Sequence, residues 1–240
     1  GWGSNKRKKT RYSTVTEDVV VNSGDETWMR SRNVRFNAEG LRANELHYQF
    51  LDGNDDVHYI PKLLEISPDI SLSNYGSDSS LNEFKTGETV TGYSDDVNGT
   101  EIISFRLAKS NHKRGDYDNP SRTYSNNPYF PEETLQDNYT TSSKVLNIDT
   151  FSLASEEQGL YSGYVEKGTK LVGHESGAVA YVKDLRLITD INGNLQGCFF
   201  LKDPLTTPPP SVRIETGKKT YKLSSSPINS PNVKNSESVP

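Results

Sequence analysis

Two stretches of the sequence carry the oxygen-rich side chains that calcium prefers. Asp52-Gly-Asn-Asp-Asp56 begins like a calcium-binding loop, and Asp190-Ile-Asn-Gly-Asn194 places Asp and Asn at positions 1, 3 and 5 of a second one. Such a loop requires glycine at its sixth position and a carboxylate at its twelfth, and both stretches have Val or Leu there. Both therefore favour polar turns, and the sequence predicts no metal site.

Residue patterns that perform catalysis are equally sparse. The four histidines (His47, His58, His112 and His174) include no pair at helical metal-ligand spacing, and neither a Gly-x-Ser-x-Gly elbow nor a phosphate-binding loop occurs. The single Cys198 lies in the apolar run Cys198-Phe-Phe-Leu201, which predicts a buried, unpaired thiol. With 32 acidic residues, a carboxylate pair for glycoside cleavage stays open. We expect no enzyme and no cofactor.

Charge is distributed unevenly along the chain. Five cations stand in the first twelve residues, and they leave 22 basic against 32 acidic groups in the rest. We expect this basic arm to contact an acidic neighbour, and it forms the first half of a candidate interface: Lys6, Arg7, Lys8, Lys9 and Arg11. Nucleic acid is not an expected partner because Trp2 and Tyr12 alone accompany the cations. Membrane insertion is not expected either, since no apolar run approaches ~18 residues.

Composition points to strands. Ala and Gln together number 10 residues, whereas Ser, Thr and Asn number 67 and favour turns and strand surfaces. Short aromatic and β-branched runs predict strands: 27–30, 33–36, 47–51, 57–60, 62–66, 89–93, 101–107, 185–189 and 196–201. We predict an all-β fold of short antiparallel strands in one or two small barrels or sandwiches, with a long irregular loop and extended termini.

Three dipeptides mark the strongest turn predictions. Asp52-Gly53 stands between two aromatic runs, and Asn98-Gly99 and Asn192-Gly193 stand between predicted strands. Asn-Gly tolerates the positive φ angles of a type I′ turn, so each of the last two is predicted to join an antiparallel hairpin.

A weak internal repeat is also present. Phe84-x-x-Gly87-x-x-Val90-x-Gly92 matches Val165-x-x-Gly168-x-x-Leu171-x-Gly173. Both copies continue to an apolar-Arg-Leu triplet, Phe105-Arg-Leu107 in the first and Leu185-Arg-Leu187 in the second. Glycine at a turn and again at a strand end is typical of a curled hairpin, and we interpret the repeat as one β module used twice.

Between the two copies lies a segment without period, Lys109–Thr141, rich in Asn, Asp, Pro, Ser and Tyr. A loop this long is usually functional, extended over a partner or disordered. Its rings are amphipathic anchors that could pack on the body of the same chain or on another subunit. They complete the candidate interface: Tyr117, Tyr124, Tyr129, Phe130 and Tyr139. The predicted organisation is a basic arm and lead-in segment at 1–26, a first β unit at 27–108, the loop at 109–141, a second β unit at 142–224 and a tail or linker at 225–240.

Several blocks taken together resemble virion structural proteins of contractile-tailed bacteriophages, in particular T4-like tail-fibre or baseplate-attached proteins of marine and cyanobacterial phages. The blocks are Trp28–Phe36 with Gly40-Leu41, Tyr48–Gly53, Tyr59–Ile66, Phe84–Val90, Phe105–Ala108, Asn111-His-Lys with Asn127-Pro-Tyr129, Asp149–Ala154 and Arg213–Gly217. No single block is specific, whereas their order and number are. They span about residues 28 to 224.

The resemblance implies a β-rich assembly part of the phage tail in the virion, without active-site residues. Its expected partners are other tail proteins and further copies of the chain, with a trimer favoured, and host attachment is the expected role. The alternatives are a glycan-binding adhesin module that contacts a host surface glycan, suggested by 13 Tyr and many Asn and Asp, and a collar or neck decoration protein. A capsule depolymerase has no motif in its favour.

Overall fold

The structure is a computed structural model that describes residues 12–21, 31–67, 82–155, 159–202 and 217–229. The described part of the chain is nearly all β, with 50% of the described residues in strands and 2% in helix, so the predicted fold class is confirmed. The strands form open antiparallel sheets in a sandwich-like arrangement, and the described ranges contain no closed barrel.

Eighteen strands and one short helix follow one another within these ranges. They are β1 Thr14–Val21, β2 Arg32–Ala38, β3 Leu46–Leu51, β4 His58–Pro61, β5 Leu63–Ser67, β6 Thr89–Tyr93, β7 Glu101–Arg106, β8 His112–Gly115, β9 Pro120–Thr123, β10 Asn126–Asn127, β11 Phe130–Thr134, β12 Val145–Asn147, α1 Thr150–Leu153, β13 Ser162–Gly163, β14 Lys170–Gly173, β15 Val179–Asp184, β16 Leu187–Ile188, β17 Leu195–Leu201 and β18 Gly217–Ser224. The strand predicted at 27–30 lies outside the described residues.

Three larger sheets make up the body. Their strand orders are β12-β5-β15-β14-β6-β7-β13, β1-β18-β3-β16 and β2-β17-β4, and two further hairpins pair β8 with β9 and β10 with β11. Each larger sheet combines strands from the predicted unit 27–108 with strands from 142–224. The two ranges therefore do not fold as separate sheets. In addition, β1 lies within the range that was predicted to be arm and lead-in.

Strand β17 lies in the middle layer of a three-layer stack. All seven of its residues are buried, because Cys198 and Phe200 enter one hydrophobic core while Leu195, Phe199 and Leu201 enter another. The first core lies against the seven-stranded sheet and the second against the four-stranded sheet. Burial on both faces explains why apolar residues follow one another from Cys198 to Leu201 instead of alternating with polar ones. The predicted burial of Cys198 is confirmed, since its free thiol is fully buried.

The Asp52-Gly53 turn is confirmed. Asp52 and Gly53 have φ of 49° and 79°, and Leu51 and Asn54 exchange two backbone hydrogen bonds of 2.9 Å across them. Two positive φ values between a bonded pair define a type I′ turn, which asparagine, aspartate and glycine tolerate best.

The two Asn-Gly predictions have different outcomes. Asn98-Gly99 lies in a hairpin between β6 and β7, as predicted, but the connection runs over residues 94–100 and only Gly99 has a positive φ, so the type I′ assignment is wrong. Asn192-Gly193 joins no hairpin: β16 pairs with β3, whereas β17 pairs with β2 and β4 in another sheet. The Asp190 carboxylate accepts the backbone N–H groups of Asn192 and Asn194 and turns the chain between sheets.

The sequence repeat corresponds to a local two-fold arrangement. Gly87 and Gly168 have nearly equal φ of 89° and 90°, which an L side chain rarely adopts, and each begins a turn into its strand. The strands β6 and β14 are antiparallel neighbours, and Thr91 faces Val172 at the centre of the pair. Val90 faces Gly173 and Gly92 faces Leu171, so equivalent residues exchange places.

The predicted triplet equivalence is wrong. Leu107 closes the first hairpin by bonding to the backbones of Gly87 and Glu88, and Val182 makes the same two bonds to Gly168 and Thr169 in the second. The structural counterpart of Leu107 is thus Val182 and not Leu187. The second hairpin is shorter, so the sequence alignment placed its triplet five residues too late.

Candidate functional site

The segment Lys109–Thr141 is not the irregular loop predicted from its sequence. It contains the hairpins β8–β9 and β10–β11, and each has a register shift or bulge. A bulge breaks the alternation of side chains along a strand, so the period of two on which a strand prediction depends is lost. The segment folds back over the body of the protein.

Most of its aromatic rings contact the same chain. Tyr124 and Tyr139 are buried, and the Tyr139 hydroxyl donates to Ala108 O at 2.6 Å while accepting the Asn147 N–H. The Tyr129 hydroxyl donates to Leu63 O at 2.5 Å, and Tyr117 stacks under Arg106 at 3.9 Å. Each of these four rings therefore packs on, or hydrogen-bonds to, its own chain.

The remaining members of the candidate interface fare differently. Phe130 is 36% exposed, with Lys144 Nζ 4.5 Å and Lys183 Nζ 6.0 Å from its ring centroid. It stays a candidate for contact with a partner. The arm residues Lys6, Arg7, Lys8, Lys9 and Arg11 lie outside the described residues.

Beneath the segment lies a buried ion pair. Lys113 of β8 is 7% exposed, and its Nζ lies 2.6 Å from Asp190 Oδ2 and 5.3 Å from the centroid of the Tyr124 ring. Asp190 thus turns the chain with one oxygen and neutralises a buried lysine with the other. The polar-turn interpretation of this calcium-like stretch is supported, because its carboxylate is already committed to protein groups.

A second lysine, Lys62, is buried without a carboxylate of its own. Its Nζ donates to Ile148 O at 2.8 Å, and burial lowers its pKa from 10.5 to about 7. Asp149 raises this pKa in part, but the Asp149 carboxylate is bound to Arg106 at 2.6 and 2.9 Å. Sequence reasoning missed Lys62, although a lone lysine within Ile60–Ile66 was a usable signal.

An amine with a pKa near 7 has the chemistry of a base or nucleophile. The cavity beside Lys62, however, holds only about 10 Å³ and is lined mainly by Tyr124, Tyr129 and Gln196. That volume is room for roughly one water molecule. Nearby, His112 Nδ1 and Asn147 Oδ1 are buried without a hydrogen-bond partner. Among the described residues, the cavity beside Lys62 therefore has no room for a substrate.

His58, one of the four histidines, takes part in a ring stack. It lies 4.3 Å from Tyr164, which lies 5.5 Å from Phe200, and burial lowers the His58 pKa. His47 contacts Glu45 O and Ser13 Oγ instead. Within the part of the chain that the structure describes, no group of three or more His, Cys, Asp and Glu side chains could hold a metal.

An exposed aromatic ring lies where sequence reasoning had placed no site. Phe151 of α1 is 59% exposed, and the Arg35 guanidinium of β2 stacks over it at 4.0 Å. Phe151 faces outward because its helix neighbours Thr150, Ser152 and Leu153 are the buried ones. Arg35 and Phe151 belong to two of the blocks that carry the resemblance to tail proteins.

Comparison with family models, curated proteins and solved structures finds no match to this chain. Among the described residues, no helix has the length and apolar character needed to cross a membrane.

Proposed function

We propose that this protein is a structural component of a phage tail, in the fibre or baseplate apparatus, and that copies associate as a trimer through the surface around Phe151. The observation that carries the proposal is the Arg35–Phe151 stack, which exposes a large ring on the protein surface. Aromatic residues and arginine are enriched at the energetic centres of protein interfaces.

The geometry of the stack suits binding better than it suits stability of the lone chain. Stacking on Arg35 fixes the ring in one orientation, so little side-chain entropy is lost when a partner covers it. The exposed ring itself gains nothing from water. A neighbouring subunit would bury the part that is still exposed at ~25 cal/mol per Å².

Sedimentation of the full chain over a wide concentration range tests the association. We expect trimers that dissociate on dilution, and a shift of that equilibrium by at least about 2 kcal/mol in Phe151→Ser. Tyr48→Ser is the matched control, because Tyr48 is an exposed ring, 38% exposed, on the unrelated strand β3. A wild-type chain that stays monomeric at every concentration would contradict the proposed self-association.

The place in the particle needs its own experiment. Antibodies against the folded chain, applied to purified phage particles and viewed by electron microscopy, are expected to decorate the tail. Decoration of the capsid, or none in particles whose genome encodes the chain, overturns the tail assignment whatever the sedimentation result.

A further inference from the structure

A polar cavity of about 230 Å³ lies between the end of the segment Lys109–Thr141 and the start of β12. Eight of its twelve lining side chains carry a hydroxyl or an amide, among them Asn127, Gln136, Asn138, Thr140, Ser142 and Ser143. The volume is smaller than the roughly 300–1,000 Å³ of sites for drug-sized ligands, so one small ring fits and a long ligand does not.

The walls are held in place by their own hydrogen bonds. The Thr140 N–H donates to Ser143 Oγ at 2.9 Å, and the Ser142 N–H donates to Thr140 Oγ1 at 3.1 Å. Each of these hydroxyls accepts a bond, so its own O–H is still available to donate. The floor residue Asn127 is 2% exposed and is oriented by the Tyr129 N–H, which its Oδ1 accepts.

The charge of the cavity is close to neutral. Its one cation and its one carboxylate pair with each other, since Lys144 Nζ lies 2.5 Å from Glu133 Oε1. A phosphate, sulfate or carboxylate ligand would find no free counter-charge there. A neutral molecule with many hydroxyls matches the alternating donors and acceptors of the walls, and the apolar side chains Leu135 and Val145 match its C–H face.

An exposed aromatic ring borders the cavity. Phe130 lies 4.5 Å from Nζ of the lining residue Lys144 and is 36% exposed. Aromatic faces stack on the apolar faces of amphipathic rings. A ligand that extends from the cavity toward Lys144 therefore meets this ring next.

We propose that the cavity binds one neutral sugar residue of a saccharide and that Phe130 stacks on the following residue. The site includes neither Arg35 nor Phe151, so sugar binding and assembly can be tested separately. It gives the glycan-contact hypothesis a location on the protein, built largely by the segment Lys109–Thr141.

Ligand-observed NMR of the full chain tests this site. The probes are the methyl glycosides of glucose, galactose and N-acetylglucosamine, the corresponding disaccharides maltose, lactose and chitobiose, and inorganic phosphate, each at millimolar concentration. We expect at least one glycoside to bind, its disaccharide to bind more tightly, and phosphate not to bind. Absence of binding by all the sugars overturns the proposal, as does preferential binding of phosphate.

Variants locate the binding. Asn138→Trp fills the cavity from an exposed position and should weaken glycoside binding at least about tenfold. Asn98→Trp is the matched control, since Asn98 is an equally exposed loop asparagine between β6 and β7. Phe130→Ala should weaken the disaccharide and leave the monosaccharide unchanged. Binding that survives Asn138→Trp contradicts the site, whereas the Phe151→Ser variant should bind sugar normally even if the assembly proposal fails.

Discussion

Lys113 and Lys62 are two buried lysines in surroundings that differ in one respect. Lys113 has a carboxylate to itself, with Nζ 2.6 Å from Asp190 Oδ2, whereas Lys62 has a backbone carbonyl and an Asp149 carboxylate that Arg106 already occupies. Burial costs a charged group several kcal/mol unless it is paired. A nearby carboxylate thus compensates the charge of one buried cation and not of two. Asp149 compensates Arg106, and burial therefore lowers the pKa of Lys62.

The largest effect is expected from breaking the Lys113 pair. Asp190→Asn keeps an oxygen for the N–H groups of Asn192 and Asn194 but removes the charge, so Lys113 is left buried and unpaired. We expect a loss of about 3–5 kcal/mol in the free energy of unfolding, measured by urea denaturation.

The control for this change is Asp18→Asn. Asp18 pairs with Lys218 at 3.0 Å, but both side chains are more than half exposed. Such a surface pair contributes less than about 1 kcal/mol. Equal effects of the two substitutions would mean that burial does not distinguish the pairs.

Lys62 should make stability depend on pH. Its folded-state pKa, lowered to about 7, lies below the unfolded value of 10.5, so the unfolded chain binds more protons between these values and stability rises with pH. Between pH ~7 and ~8.5 the rise should be about 1–2 kcal/mol. Below this window, the lowered pKa of His112 also makes stability rise with pH. Above it, the raised pKa of Cys198, about 12, makes stability fall as the pH rises.

Lys62→Met tests this directly. The variant should lose the rise and should be more stable than the wild type at pH ~6, because an apolar side chain replaces an uncompensated charge. Lys170→Met, at an exposed position of β14, should leave the rise unchanged. A wild-type stability that is flat across the window contradicts a lowered Lys62 pKa.

A smaller effect is expected when Asp149 is released from Arg106, and it tests the comparison of Lys62 with Lys113. Arg106→Met removes the guanidinium that holds this carboxylate at 2.6 Å, so Asp149 becomes free to compensate Lys62. The pKa of Lys62 should rise by about one unit, which moves the pH-dependent rise in stability upward by the same amount. An unmoved rise would show that Asp149 does not act on Lys62.

The smallest effect is expected at the ring beside Lys113. Tyr124→Phe keeps the ring whose centroid lies 5.3 Å from Lys113 Nζ and removes only a hydroxyl that accepts from Gln196 at 3.3 Å. We expect a loss below about 1 kcal/mol in urea denaturation. Tyr124→Leu should cost more, since it removes the ring itself. Equal losses would assign the effect to the hydroxyl.

Local backbone chemistry was predictable where one dipeptide decides the conformation. Asp52-Gly53 requires no tertiary contact to form its turn, and the β6–β7 hairpin followed from Asn98-Gly99 even though its loop is longer. Asn192-Gly193 failed because the strands on either side bond to strands far away in the sequence, in two different sheets. Strand pairing is a long-range property that a turn signal does not contain.

The candidate site was less predictable than the fold. Composition identified the tyrosines of Lys109–Thr141 as anchors, but it could not show that Tyr124 and Tyr139 turn inward. Whether a ring contacts its own chain or a partner depends on how the hairpins fold back. Their bulges interrupt the alternation of side chains, so the sequence does not indicate that fold. Arg35 and Phe151 are 116 positions apart, and only the packing of α1 against β2 brings them together.

The two-fold pairing of β6 with β14 has a consequence for how the chain tolerates change. The seam is the antiparallel pair of β6 and β14, where the two hairpins contact each other. Two identical hairpins could make the same contact as a symmetric dimer, but here one chain contains both partners. Thr91 faces Val172, its own counterpart, across the seam and faces Ser104 of β7 on its other side, so a substitution at Thr91 is expected to affect both neighbouring strands. The connections at the far ends, residues 94–100 and 174–178, lie away from the seam, so a sequence inserted there is expected to leave the seam undisturbed.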